Sequence, residues 1–278
     1  AAQGRGLMPT DGKATALVLA GKRDGATDPL AQAAGVTHKC LVPVAGQPML
    51  VHVIDALAAS ERIGQIRVAI EEPAVLQDLP QLRGLIATRR LMPVAAQPNL
   101  VDSVLAGAQG ATFPLLTTTA DNVLLTPDSV AEMMEGCKAQ GADAAVAFTR
   151  RDFVLAAHPQ GQRKFYRFAD DSYSNCNTYW LKNANALAAA ETFRSGGQFV
   201  KHPARIIGAF GLLNLIRFRF GIGTLADTFA RFSRRFRMTI APVILSDGAV
   251  AIDVDNARSH GVATQLLERR AVITQAAE

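Results

Sequence analysis

Ala16-Leu17-Val18-Leu19-Ala20-Gly21-Lys22-Arg23 starts as an unbroken apolar run and ends in a glycine followed by two cations. An apolar run of this length, closed by glycine, reads as a buried strand. The glycine lets the backbone turn sharply and brings amide N–H groups close to an anion, because no Cβ obstructs the turn or the ligand. Further on the chain reads Lys39-Cys40-Leu41-Val42-Pro43-Val44-Ala45-Gly46-Gln47-Pro48-Met49-Leu50. Together the two stretches have the makings of a triphosphate site. Leu19, Ala20, Gly21 and Lys22 supply its backbone, and Arg23 and Lys39 its positive charge, across an excursion from Asp24 to His38.

The same texture continues outward. Apolar runs at Ile66–Ile70, Leu91–Val94, Pro114–Thr119 and Ala144–Phe148 alternate with helical-period segments at Pro48–Ser60, Pro73–Ala87, Leu100–Gln109 and Pro127–Gln140. That alternation predicts an α/β domain with a mostly parallel sheet. Thr126 as cap, Pro127 at the first helical position and Asp128 in the first turn mark one helix start clearly. After Arg150 the pattern changes to a polar, aromatic hairpin over Lys164–Asn177. It is followed by helices near Asn183–Arg194, Pro203–Phe218 and Thr224–Phe236, a strand at Met238–Leu245 and a closing helix over Asn256–Arg270.

With 278 residues, 49% hydrophobic and 19% charged, the chain can bury a large core and is not of the disordered class. The first thirteen residues are small and polar and read as a loose segment without the apolar centre of a secretion signal. The run Ile206–Ile216 is too short to span a membrane. Three widely spaced cysteines, Cys40, Cys137 and Cys176, argue against a disulfide framework or zinc cluster and for a reducing, cytoplasmic location. The histidines lack metalloprotease spacing, so a metal here falls to carboxylates. A net charge of +5 without a basic–aromatic repeat points to phosphorylated small molecules and away from nucleic acid.

Two acidic positions fit that role. Asp121 follows the run Leu115–Thr119, where ligands gather at the carboxyl ends of parallel strands; the alternative is an ordinary turn with Asn122. Asp253 and Asp255 stand two apart on an extended segment, hence on one side, a spacing that suits one Mg2+ and its phosphates; the alternative is that Asp255 caps the closing helix. Between Arg205 and Arg237 an apolar segment, Ile206–Phe220, precedes Arg231, Arg234, Arg235 and Arg237 interleaved with Phe229, Phe232 and Phe236. Such a segment either rests on an anionic membrane surface as a peripheral contact or forms packed helices that cover the core or a homodimer interface.

In this order, Leu-Ala-Gly with Lys22 and Arg23, Lys39 with the Val44 to Leu50 stretch, Ala120-Asp121 before Leu125-Thr126-Pro127, and Asp253-Val254-Asp255 before a terminal helix resemble the nucleotidyltransferases related to molybdenum-cofactor guanylyl- and cytidylyltransferases, the MobA-like NTP transferases. The resemblance spans about Ala16 to Arg270. It implies a Rossmann-like three-layer α/β/α domain of the nucleotide-diphospho-sugar transferase fold over 14–278, with a nucleotide-binding half (14–150) and an acceptor-binding half (151–278). It also implies that Leu19 to Gly25 wrap the triphosphate, that Arg23 and Lys39 neutralise phosphate charge, and that Asp121 with Asp253 or Asp255 holds Mg2+. Asp102 and Ser103 match the segment that reads the nucleobase, and Asn177 and Lys201 fall where the acceptor binds. The implied reaction transfers a nucleotide from a nucleoside triphosphate to a small phosphorylated or cofactor-like acceptor. A nucleotide-sugar-dependent glycosyltransferase of the related fold and a non-catalytic nucleotide-binding protein are the alternatives. Here the Ala120-Asp121-Asn122-Val123 segment and the long excursion after Arg23 depart from the family's usual pattern.

Overall fold

Every residue of β1, Ala14–Leu19, is buried. A strand covered on both faces has no polar side to show, so it reads as a continuous apolar run rather than an alternating one. In the computed structural model, which describes residues 12–22, 28–188 and 222–277, β1 is central. The chain then passes through α1, Pro29–Ala33, and a small ribbon of β2, Pro43–Val44, and β3, Gln47–Pro48. It continues into α2, Met49–Ala59, and β4, Ile63–Ile70, which pairs in parallel with β1.

The predicted helix over Pro73–Ala87 is broken into α3, Ala74–Gln77, a 3-10 turn at Pro80–Leu82 and α4, Arg83–Ala87. Pro80 has no N–H to donate and holds the preceding Leu79 extended at φ −91°, ψ 104°, which a continuous helix cannot accommodate. β5, Leu91–Ala95, extends the sheet beyond β4, and α5, Leu100–Ala108, returns the chain. β6, Leu115–Thr119, then takes the opposite side of β1. α6, Pro127–Ala139, starts with a reciprocal Thr126–Ser129 capping box, as the Thr-Pro-Asp signal predicts. β7, Ala144–Arg150, and α7, Arg151–Ala157, follow.

The hairpin is present as β8, Tyr166–Arg167, and β9, Ser172–Leu181. Its second strand is longer than the polar sequence foretold and lies antiparallel between β6 and β7. The sheet is therefore mixed but mostly parallel, in the order β10-β7-β9-β6-β1-β4-β5, with β10 being Ile240–Leu245. Among the described residues α2, α6 and the closing α9, Ala257–Ala277, share one buried cluster, while α5 and α8, Leu225–Phe236, share the cluster on the other face. This is the expected three-layer α/β/α arrangement.

Phe229 of α8 packs edge-on against Phe148 of β7, with centroids 5.7 Å apart, and Phe232 and Phe236 join the same cluster. The aromatic face of α8 thus covers the sheet, the packed-helix alternative of the two readings. The helices predicted at Pro203–Phe218 and beyond Ala188 in the Asn183–Arg194 stretch, and the apolar Ile206–Phe220, lie outside the described residues, as do residues 1–11. No described helix is long and apolar enough to cross a membrane.

Candidate active site

β1 is flanked by β4 and β6, and the chain leaves all three at one edge. The Ala20 N–H donates to the Ala69 carbonyl at 2.9 Å and the Ala120 N–H to the Leu19 carbonyl at 3.0 Å. From β1 the sheet grows outward through β4 and β5 and then crosses back to β6. That reversal opens a crevice at the carboxyl ends of the strands, where ligands bind in open α/β sheets.

Lys39 opens a 3-10 turn, Lys39–Leu41, immediately before the β2–β3 ribbon. The ribbon turns through Ala45 and Gly46, with φ of 46° and 82°, a left-handed pair of the kind tight hairpins require. His260 of α9 donates from Nε2 to the Pro43 carbonyl at 2.8 Å, tying the ribbon to the closing helix. So held, Lys39 reaches the loop after β6, and its Nζ donates to Asp121 Oδ2 at 2.7 Å and to Asp255 Oδ1 at 2.9 Å. Burial alone would lower the Lys39 pKa. The charge of Asp121 and the hydrogen bonds to Asp121 and Asp255 outweigh it, so the ammonium's pKa is raised.

Asn122 fixes the Asp121 loop from below. Fully buried, its amide donates to the Cys176 carbonyl of β9 at 3.0 Å and to Thr118 Oγ1 at 3.2 Å. The Val254 N–H donates to the Asp121 carbonyl at 3.1 Å, joining this loop to the Asp253–Asp255 segment. Asn256, rather than Asp255, accepts the Ser259 N–H at the start of α9. The capping alternative for Asp255 therefore fails, and its carboxylate is turned to Lys39. Asp253 lies on the β9 side, where Asn177 Nδ2 donates to Asp253 Oδ2 at 2.6 Å.

The carboxylates fit a divalent ion only with help. No group of three or more His, Cys, Asp or Glu side chains that could hold a metal occurs among the described residues. Mg2+, however, is commonly bound by one or two carboxylates together with phosphate and water oxygens. Asp121 Oδ1 is buried without a hydrogen-bond partner among the described residues. A buried carboxylate oxygen left bare is costly, and an arriving cation would relieve it. Asp121 with Asp255 or Asp253 therefore suits such an ion in company with a triphosphate.

The phosphate loop is only partly in view. Leu19 and Ala20 are buried, and Gly21 sits where a Cβ would approach Glu71 Oε1 at 3.0 Å and Ala96 Cβ at 3.1 Å. The Lys22 N–H donates to Glu71 Oε1 at 2.6 Å, while its Nζ lies 3.7 Å from Glu72. Arg23 and Lys201 lie outside the described residues. At the start of α5, Asp102 pairs with the capping Asn99, and Ser103 Oγ accepts the Gln97 N–H at 2.8 Å. Ser103 is thus engaged in shaping the loop after β5.

Sequence reasoning passed over Glu71 and Glu72, although an acidic pair just past β4, at the same edge as Asp121, was a readable signal. It also missed Tyr179, the partner of Asn175. The Asn175 amide donates to Tyr179 Oη at 3.0 Å and its Oδ1 accepts the Asn177 N–H at 2.8 Å; nothing local in the sequence marks that network. His38, beside Lys39, is fully buried. Burial and the nearby Lys22 charge lower its pKa, which keeps it neutral at pH 7.

Comparison with known proteins gives the family and the fold. Residues 16–211 match the MobA-like NTP transferase domain family. A 2-C-methyl-D-erythritol 4-phosphate cytidylyltransferase from Bordetella petrii is 32% identical over 176 residues, which is 60% of this chain and 75% of that protein. Among solved structures, a hypothetical transferase from Thermus thermophilus superposes with a TM-score of 0.72 at 22% identity, over 89% of this chain and 99% of that one. A 4-diphosphocytidyl-2C-methyl-D-erythritol synthase from Anaerococcus prevotii gives 0.59 at 12% identity, over 93% and 98%. A CMP:2-keto-3-deoxy-manno-octonic acid synthetase complexed with CTP gives 0.52 at 14% identity, over 95% and 100%. These three structures share the fold.

Proposed function

As the chain belongs to the MobA-like NTP transferase family, it is a nucleotidyltransferase, and we propose that it carries out Mg2+-dependent transfer of a nucleoside monophosphate from a triphosphate to a small phosphorylated or cofactor-like acceptor. The observation that carries this reading is the contact of Lys39 with both Asp121 and Asp255 at the sheet's carboxyl edge. A cation and a carboxylate pair, drawn from three distant parts of the chain, meet where the triphosphate of such a reaction would lie.

In the proposed reaction an acceptor oxygen attacks the α-phosphorus in line. The new P–O bond forms as the bond to the β-phosphate breaks, and its electron pair leaves on pyrophosphate. A phosphate monoester acceptor is already ionised near neutral pH and needs no strong general base. The chain's part is then positioning and charge neutralisation. Lys39 would neutralise phosphate charge, a role the family resemblance also gives Arg23, and the turn at Leu19, Ala20, Gly21 and Lys22 would bring the backbone near the phosphates. Asp121 and Asp253 or Asp255 would hold Mg2+, which would supply neutralisation of phosphate charge. Asp102 and Ser103 shape the nucleobase side, while Asn177 and Lys201 belong to the acceptor side.

Cytidine is the first base to test, since the Bordetella petrii relative is named a cytidylyltransferase. The three cysteines are free and buried, in keeping with a cytoplasmic enzyme. Pyrophosphate release should be measured with each nucleoside triphosphate, Mg2+ and a panel of phosphorylated acceptors, with CTP expected to support turnover. Release of a nucleoside diphosphate from a nucleotide sugar, without pyrophosphate from any triphosphate, would overturn the reading in favour of glycosyl transfer.

A further inference from the structure

Lys39 and a divalent ion want the same two oxygens. The ammonium donates to Asp121 Oδ2 and Asp255 Oδ1 at once, so it fills the space between the carboxylates that a metal bridging them would enter. An ammonium in that gap and a metal on those oxygens would be two cations in contact, a repulsive arrangement in a partly buried site.

Three further observations bear on the exchange. The side chain of Lys39 is 25% exposed and that of Asp255 60% exposed, against 13% for Asp121. One half of the bridge is therefore nearly buried and the other opens to solvent, which gives the lysine a route out. The second oxygen of Asp121 has no hydrogen-bond partner among the described residues, so Lys39 is the group that offsets this carboxylate's charge. Finally, no described cluster supplies three metal-binding side chains, so a metal arriving alone gains little to repay the loss of that ion pair.

We propose that Lys39 is a resident cation that reserves the Asp121–Asp255 pair, and that a divalent ion enters only as Lys39 transfers its charge to the incoming triphosphate. The inference rests on the nucleotidyl-transfer reading above and adds to it an order of events. Metal and nucleotide then bind with positive coupling, and by linkage each raises the other's affinity by the same factor. The metal-free, nucleotide-free protein keeps its carboxylates paired.

The test is Mn2+ binding, followed by the electron paramagnetic resonance signal of free Mn2+, on the whole chain. Wild type, Lys39→Met and Lys39→Gln are compared without nucleotide and with the non-hydrolysable α,β-methylene analogue of CTP, folding being checked by circular dichroism. Without nucleotide, both variants should bind Mn2+ about tenfold or more tightly than wild type, within the range typical of coupled sites. The analogue should tighten Mn2+ binding strongly in wild type and much less in the variants. Equal or weaker Mn2+ binding by the two folded variants overturns the exchange. Wild type that releases pyrophosphate yet shows that result leaves the nucleotidyl-transfer reading standing. Wild type that neither binds Mn2+ with any nucleotide nor releases pyrophosphate removes both.

Discussion

Asn177 holds Asp253 from a backbone that few side chains tolerate: its Nδ2 donates to Asp253 Oδ2 at 2.6 Å, and its φ is +46°. Left-handed φ is uncommon outside glycine, though asparagine adopts it more readily than most. The position falls in an irregularity of β9, where Val146 pairs with Tyr179 and Phe148 with Asn175. Between those pairs one residue of β7, Ala147, stands opposite three of β9, Cys176, Asn177 and Thr178, so the strand bulges there. Bulges next to active sites re-aim side chains, and this one directs Asn177 toward the carboxylate segment before α9.

Replacing Asn177 separates the side chain from the backbone. Asn177→Gly keeps the left-handed turn without strain but loses the amide, whereas Asn177→Ala loses both. If the amide positions Asp253, both variants should lose about 10- to 100-fold in activity or metal affinity, as residues that orient ligands usually do. Asn177→Gly should nonetheless unfold at the same or a higher temperature than Asn177→Ala. Wild-type activity in Asn177→Gly would show that only the bulge matters.

Asp121→Asn keeps the shape of the side chain and removes its charge. Lys39 then loses its closer carboxylate partner, at 2.7 Å, and retains the exposed Asp255. Pyrophosphate release should fall by about 10² to 10³, the range seen when one charge-stabilising contact is removed. The part of the triphosphate-induced thermal shift that needs Mg2+ should vanish, since a ligand bound only by the native state raises its stability. An unchanged Mg2+-dependent shift would return Asp121 to the role of a turn residue.

Gly248 controls how closely the segment leading to Asp253 can approach α7. A Cβ on it would lie 2.1 Å from both the carbonyl carbon and oxygen of Phe153 in α7, and backbone atoms cannot swing aside as a flexible side chain can. Gly248→Ala should therefore destabilise the fold by about 3 kcal/mol or more, at the upper end for overpacking. The urea unfolding midpoint should drop accordingly. A midpoint unchanged from wild type would mean that α7 and the segment separate easily.

Much of this architecture is legible in the sequence because β1 is covered on both faces and announces itself as an apolar run, while β4 and β6 are short stretches of strand-forming residues. Lys39, Asp121 and the Asp253–Asp255 segment are legible as candidates by their place at strand ends and a helix start, although carboxylates there also serve as turns and caps; that Lys39 meets Asp121 and Asp255 is seen only in the fold. β9 is harder to read. It carries the half-buried Asn175 and Asn177 beside the buried Thr178, and only the central position between β6 and β7 makes a strand of that polar run. Pro80 was visible, yet helical periodicity on either side masked the break it imposes. The engagement of Lys22 with Glu71 depends on which loops meet, and that is a property of the sheet order rather than of any local stretch.

The cysteines give a prediction independent of the reaction. Cys40, Cys137 and Cys176 are all buried, and burial pushes the thiols of Cys40 and Cys137 up from 9.0 to about 12. At pH 8 none of the three should react with a thiol reagent in the native protein, and all three should react in denaturant. The raised values also set a direction in pH. Between about pH 9 and 12 the folded chain keeps protons on these thiols that the unfolded chain releases, so the folded state binds more protons and stability falls as pH rises. Each such thiol contributes a slope of at most about 1.4 kcal/mol per pH unit. Cys137 is the cleaner case because burial alone raises its thiol, whereas the charges of Glu71 and Lys22 also act on Cys40. Cys137→Ala should lose stability less steeply than wild type between pH 9 and 11, measured by urea unfolding at each pH. Parallel curves for the two proteins would show that Cys137 ionises as readily in the fold as in the open chain.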